Sequence, residues 1–207
     1  MNRVAFLPGA GGQRAFWQPV TQCLGLGDDA ILFAWPGFGD EPPDPAIERL
    51  NDLAAYCIER LPGPVDLVAQ SMGGVVALQI ALSRPDMVRR LVLCGTSGGI
   101  DMSRFGAEDW RSAYTAEYLP SFEHAPSWFV DDRGDISAAL PAIAAPTLLL
   151  WGADDRISPP AVGEYLATLL PDSRLVTVPG GTHAVATEKP EEVAAHIASF
   201  LSVKVIT

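Results

Sequence analysis

The stretch Val65-Asp-Leu-Val-Ala-Gln-Ser71-Met-Gly-Gly-Val-Val-Ala-Leu-Gln-Ile-Ala-Leu82 decides how this chain of 207 residues is read. Val65–Val68 is a short run rich in β-branched valine, Ser71 follows it, and an apolar stretch at helical period comes next. A serine at a sharp strand-to-helix turn has its Oγ pushed off the edge of the sheet into open space, the position of a nucleophile. Such a turn needs small residues two before and two after the serine, where strand and helix crowd together. Ala69 and Gly73 stand there, and Gly74 adds clearance. A lone Ala-x-Ser-x-Gly would be no more than a helix start with a serine cap. The strand before it and the helix after it favour the nucleophile.

Working outward, apolar β-rich runs alternate with helical stretches. Strands are predicted at Arg3–Leu7, Ala30–Ala34, Val65–Ala69, Arg90–Cys94, Thr147–Trp151 and Arg174–Val178. Their near-continuous hydrophobicity suits burial on both faces. Helices are predicted at Arg14–Leu24, Ile47–Arg60, Met72–Ser83, Pro160–Leu169 and Pro190–Leu201. The last opens on Pro190 with Glu191 and Glu192 behind it, as a helix dipole favours. The fold class is therefore α/β: a mostly parallel sheet of about six strands with helices on both faces. The length predicts one domain over 1–207. The alternation breaks at about 97–145, a strandless interval holding Phe105, Trp110, Tyr114, Tyr118, Phe122, Trp128 and Phe129. A structureless loop of that length is unusual in a compact domain, so a small helical cap is expected there.

Apolar content of 48% and charged content of 19% place the chain among globular proteins. A formal net charge of −11 opposes phosphate backbones and anionic membranes, so neither nucleic acid nor membrane is an expected partner. Arg84, Arg89 and Arg90 could form only a small local basic patch. Cys23, Cys57 and Cys94 are odd in number and widely spaced, with no histidine cluster nearby, and read as reduced core or helix residues. No metal site is expected. The opening apolar run ends at Pro8, too short for a signal peptide, and no run approaches a membrane span. The expected location is the cytoplasm.

A serine hydroxyl needs a base, usually a histidine whose tautomer a carboxylate fixes. Three histidines are available. His196 lies inside the last helix, and His124 lies in the cap interval. His183, in Val178-Pro-Gly-Gly-Thr-His-Ala-Val, follows the last strand directly, at the carboxyl edge where parallel sheets build their sites. It is chosen. The acid is sought in Gly152-Ala-Asp154-Asp155-Arg-Ile-Ser-Pro159, just after the fifth strand. Asp155 is favoured, Asp154 is read as a solvated turn residue, and Asp101, after the fourth strand, is the alternative. For an oxyanion, one donor is expected from the backbone N–H of Met72 at the helix N-terminus. The other is expected from Ala10, in the loop Pro8-Gly9-Ala10-Gly11-Gly12. That loop lacks both the dinucleotide glycine spacing and the lysine of a phosphate-binding loop.

The chain order Ser71, Asp155, His183, with the oxyanion loop and Trp35-Pro-Gly-Phe-Gly39, resembles the α/β-hydrolase superfamily over essentially the whole length. The resemblance implies a strand order 2-1-3-4-5-6 in this chain's own numbering and cofactor-independent chemistry on a small-molecule acyl substrate, an ester or a relative of one. The chain departs from the family pattern at several points. Ala69 replaces the usual first glycine, and Pro8 replaces a histidine that braces the oxyanion loop. The Gly39 turn continues as Asp40-Glu41-Pro42-Pro43, the N-terminal hairpin is expected to be missing, and the cap is reduced. Trp35, Phe38, Trp128 and Phe129 are candidate pocket walls on position alone, with core packing the competing and favoured role for any one of them. The same triad could serve carbon–carbon hydrolysis or a lyase resembling the menaquinone-pathway synthase, which would need Arg14, Arg104 or Arg156 near Ser71. A slow ligand-binding or signalling module is the reading from another class.

Overall fold

A computed structural model describes residues 3–38, 41–118, 120, 126, 128–131 and 134–203. The strands are β1 (Val4–Leu7), β2 (Ala30–Leu32), β3 (Val65–Gln70), β4 (Val88–Cys94), β5 (Thr147–Gly152) and β6 (Ser173–Val178). Among the described residues they form one sheet in the order β2-β1-β3-β4-β5-β6, every neighbouring pair parallel. The sheet is that of the α/β-hydrolase fold.

The period of two along each strand sorts side chains into two cores. Ala5, Leu7, Leu67, Ala69, Leu91, Leu93, Leu149 and Trp151 face one layer. Val4, Phe6, Val68, Val92, Cys94, Leu148 and Leu150 face the other. The first layer is roofed by α2 (Leu50–Arg60), α3 (Met72–Ser83) and α6 (Pro160–Leu169). The second is roofed by α1 (Gln18–Leu24), α7 (Val185–Glu188) and α8 (Pro190–Leu201). In α8 the buried residues Val193, Ala194, Ile197, Ala198 and Leu201 recur at helical spacing, one stripe that packs on the sheet and α1. α3 is buried nearly all round, because it contacts the sheet, α2 and the segment Ser137–Ala142 at once. Each fully buried Leu, Ile or Val contributes roughly 1.5–3 kcal/mol.

Two predicted helices begin late, each for a local reason. Arg14–Trp17 is a 3-10 turn rather than the start of α1. Pro19 lacks an N–H and its ring would clash with the carbonyl of Ala15, so one continuous helix cannot form. α2 starts at Leu50, not Ile47, since Arg49 is extended and the Asp52 carboxylate accepts the Glu48 N–H ahead of the first turn.

Between β4 and β5 the chain makes only short elements: a 3-10 turn Ser103–Phe105, α4 (Arg111–Ala113), a π turn Tyr114–Tyr118, α5 (Trp128–Asp131) and a 3-10 turn Ser137–Ala142. At the amino edge of the sheet, Asp66 is buried and takes a two-pronged ion pair from Arg90 (3.1 and 2.8 Å) and a third contact from Arg89 (3.4 Å). Arg84 pairs with Asp86 at 2.7 Å. All three arginines of the supposed basic patch are thus engaged with carboxylates. Among the described residues no helix is long and apolar enough to cross a membrane.

Candidate active site

β3 ends at Gln70 and α3 begins at Met72, leaving Ser71 alone to turn the chain. It does so at φ 52° and ψ −121°, a backbone that L residues with a Cβ rarely adopt. Such a conformation costs of order 1–3 kcal/mol and persists only where its surroundings over-determine it. Here they do. Ser71 donates its N–H to the Cys94 carbonyl (3.0 Å), and its own carbonyl accepts from the Thr96 hydroxyl (2.7 Å) and the Gly74 N–H (2.9 Å). A Cβ on Gly73 would run into the carbonyl oxygens of Leu7 and Pro8, so only glycine lets α3 sit this close to β1.

The loop after β5 carries Asp155, whose side chain is fully buried. Its Oδ1 accepts the backbone N–H groups of Ile157 (3.0 Å) and Ser158 (2.8 Å), which points Oδ2 at His183. The loop after β6 carries His183. It is held by Glu188, which accepts from the Thr182 N–H (2.9 Å) and hydroxyl (2.7 Å), and by Gln70, which donates its amide to the His183 carbonyl (3.3 Å). The Thr182 bonds hold the Glu188 carboxyl below the usual range.

The three loops meet. His183 Nδ1 lies 2.9 Å from Asp155 Oδ2, and His183 Nε2 lies 3.0 Å from Ser71 Oγ. A carboxylate only accepts, so Nδ1 carries the hydrogen and Nε2 is left to accept from the serine hydroxyl. A serine, imidazole and carboxylate in this line can pass a proton from hydroxyl to ring while the acid steadies the resulting charge. Beneath them, burial and the negative Asp155 push the Cys94 thiol up to about 12, which keeps it an inert core group.

The other candidates stand elsewhere. Asp154 is exposed, its N–H spent on the Gly181 carbonyl. Asp101 is exposed and accepts the Ser103 N–H (3.0 Å), and bonds to Ser103 hold its carboxyl low, so it is a turn cap rather than a partner of His183. His196 is half-buried on α8, and His124, Phe122 and Gly39 lie outside the described residues, as does the side chain of Phe129.

Two cavities open onto Ser71 and His183. One, of about 390 Å³, runs under the β4–β5 segment between Leu50, Val75, Met102, Trp110 and Ile136. The other, of about 970 Å³, runs along the loop Pro8–Gln13 to Phe16 and Tyr114. Met72 lines the first and Ala10 the second. As the first residue of α3, Met72 has no carbonyl within its helix for its N–H to reach.

The wall residues chosen from sequence need correcting. Trp35 and Phe38 are wholly buried and line neither cavity, because the turn after β2 folds them beneath the glycine loop: the Trp35 indole donates to the Gly9 carbonyl (2.9 Å), and Phe38 packs under Gly12. Trp128 packs on the core and also lines neither cavity. Trp110 is the aromatic wall common to both cavities; its place in the aromatic-rich interval was the available signal. Leu50 and Ile136 carried no sequence signal. Arg14 pairs with Glu41, Arg104 lies over the Tyr165 ring at 4.2 Å, and Arg156 faces Glu108 at 3.7 Å; none of the three lines either of these two cavities.

Comparison with known proteins agrees with this architecture. The polyketide synthase ThaQ of Burkholderia thailandensis is 26% identical over 96% of this chain, which spans 12% of that much longer protein. The pimeloyl-[acyl-carrier protein] methyl ester esterase of Aromatoleum aromaticum is 29% identical over 94% of this chain and 96% of its own length. The structure of a thermophilic esterase from Thermogutta terrifontis, 26% identical, superposes with a TM-score of 0.78 over 98% of this chain and 90% of that one. The model of the alpha/beta hydrolase family matches residues 4–196, all six strands included, and the chain belongs to that family.

Proposed function

We propose that this protein is a cofactor-independent serine hydrolase that cleaves a carboxylic ester through an acyl-enzyme. The hydrogen-bonded line from Ser71 through His183 to Asp155 carries the reading. Ser71 Oγ bonds to the substrate carbonyl carbon while its proton passes to His183 Nε2, and Asp155 steadies the imidazolium. The carbonyl oxygen becomes an anion that the backbone N–H groups of Met72 and Ala10 receive. As the intermediate collapses, the bond to the alcohol oxygen breaks and His183 returns the proton to it. Water then attacks the acyl carbon with His183 again as base, releasing the acid and restoring the serine hydroxyl.

The cavities support an ester with an apolar acyl group of modest size, since both fall in the range that holds small ligands. The esterase relatives support the same bond type. A lyase or carbon–carbon hydrolase acting on an anionic substrate finds less support: Arg14, Arg104 and Arg156 are engaged elsewhere, and the first cavity's rim carries Asp101, Glu108 and Asp109 against Arg111. Ser71→Ala is expected to lower kcat on an activated butyrate ester by about 10⁵–10⁶-fold and to abolish labelling by a fluorophosphonate. Full turnover in the purified variant would refute the acyl-enzyme.

A further inference from the structure

Two side chains outside the triad hold successive peptide planes of the glycine loop. The Gly9 carbonyl accepts from the Trp35 indole N–H (2.9 Å) and from the Gly12 N–H (3.0 Å), and Trp35 donates its own backbone N–H to the Gly12 carbonyl (2.8 Å). Trp35 is wholly buried, so the Gly9 carbonyl is pinned toward the core. The described peptide bonds are trans, and in a trans peptide the N–H points opposite to the C=O. Pinning the Gly9 carbonyl inward therefore turns the Ala10 N–H outward, and Ala10 shares the larger cavity with Ser71. The next plane is held from the other side. The Tyr114 hydroxyl, in the segment between β4 and β5, donates to the Ala10 carbonyl at 2.6 Å, and the Trp110 ring meets Tyr114 edge-on at 5.4 Å. Pro8 has no polar side chain with which to brace the loop from within.

We infer that Trp35 and Tyr114 are positioning residues for the oxyanion donors: Trp35 orients the Gly9–Ala10 peptide from the core, and Tyr114 locks the following peptide from the cap. This rests on the hydrolase reading above. It adds that the oxyanion site is complete only while the cap is seated, because one of its two braces belongs to the cap. The Trp35 bond to the Gly9 carbonyl also polarises that peptide and so strengthens the Ala10 N–H at its other end, whereas the Tyr114 bond acts by position alone. Both effects act on the tetrahedral state, where the oxygen is charged, and little on bound ester.

The test compares Trp35→Phe and Tyr114→Phe with the parent protein on p-nitrophenyl butyrate. Loss of a whole oxyanion donor costs about 10²–10³-fold, so a misaligned one is expected to lower kcat by about 10–100-fold in Trp35→Phe and by about 5–30-fold in Tyr114→Phe, with KM held within about twofold. Affinity for an alkyl trifluoromethyl ketone, to which Ser71 Oγ adds while its proton moves to His183, should fall by the same factor as kcat/KM. A loss confined to KM, or a ketone affinity that stays at the parent value, would overturn the assignment. Tyr114→Phe removes a single hydroxyl from a half-buried site and decides the matter should Trp35→Phe not fold. Ser71→Ala run in parallel separates the two ideas. An active Ser71→Ala sinks the hydrolase reading and this one with it, whereas an inactive Ser71→Ala beside an unimpaired Tyr114→Phe sinks this one alone.

Discussion

Asp155 divides its two oxygens between two tasks, one holding its own loop and the other facing the histidine. An asparagine cannot do both, because its NH₂ must meet either two backbone donors or the ring N–H. Asp155→Asn is expected to lower kcat by about 10⁴-fold at neutral pH through the wrong imidazole tautomer, while Asp154→Asn, at an exposed turn, should leave it unchanged. Steady-state kinetics on both variants checks this. The meeting of Ser71, Asp155 and His183 was legible because each follows an apolar run and so comes off the same edge of a parallel sheet. The same logic offered Trp35 and Phe38 as pocket walls, and it is the competing reading, core packing, that their burial bears out. They too follow a strand, but whether a turn aims its side chains at solvent or folds them under a neighbouring loop depends on contacts with β1 that no local pattern records. Tyr114 was visible only as one of several aromatics between β4 and β5, since its partner, the Ala10 carbonyl, is a backbone atom 104 residues away.

The β3–α3 junction works as a unit, because its helix can approach β1 only through a residue without a side chain. Gly73→Ala would set a methyl group against two carbonyl oxygens of the β1 end, which are backbone and cannot swing aside. The expected cost is about 1–3 kcal/mol of stability, read by urea denaturation. A fall in kcat should accompany it, since Pro8 leads directly into the loop that carries Ala10. Strand positions were readable to within two residues from burial on both faces, and α3, α6 and α8 from their periodicity. The starts of α1 and α2 were not, for the period of hydrophobic residues continues through Pro19 and Arg49 while the hydrogen-bond ladder does not. The short elements of the β4–β5 segment carry too few residues for any period to emerge.

Across the whole molecule the sheet separates two jobs. The carboxyl edge brings Ser71, His183 and Asp155 together, and the amino edge buries Asp66 between two arginines, a cluster whose partners come from β4 and whose role is structural. The class of fold was legible in the alternation of elements, but the strand order was not a matter of pattern; it came with the family likeness, and the parallel pairings bear it out. The twisted backbone at Ser71 has a thermodynamic corollary. Glycine accepts φ 52° without a Cβ penalty. Ser71→Gly should therefore yield a dead protein that melts about 2–4 °C higher, a net gain of about 1 kcal/mol, measurable by calorimetry. Sturdiness alone would favour glycine at this turn, so under the proposed acyl-enzyme reading it is the hydroxyl that accounts for a serine there.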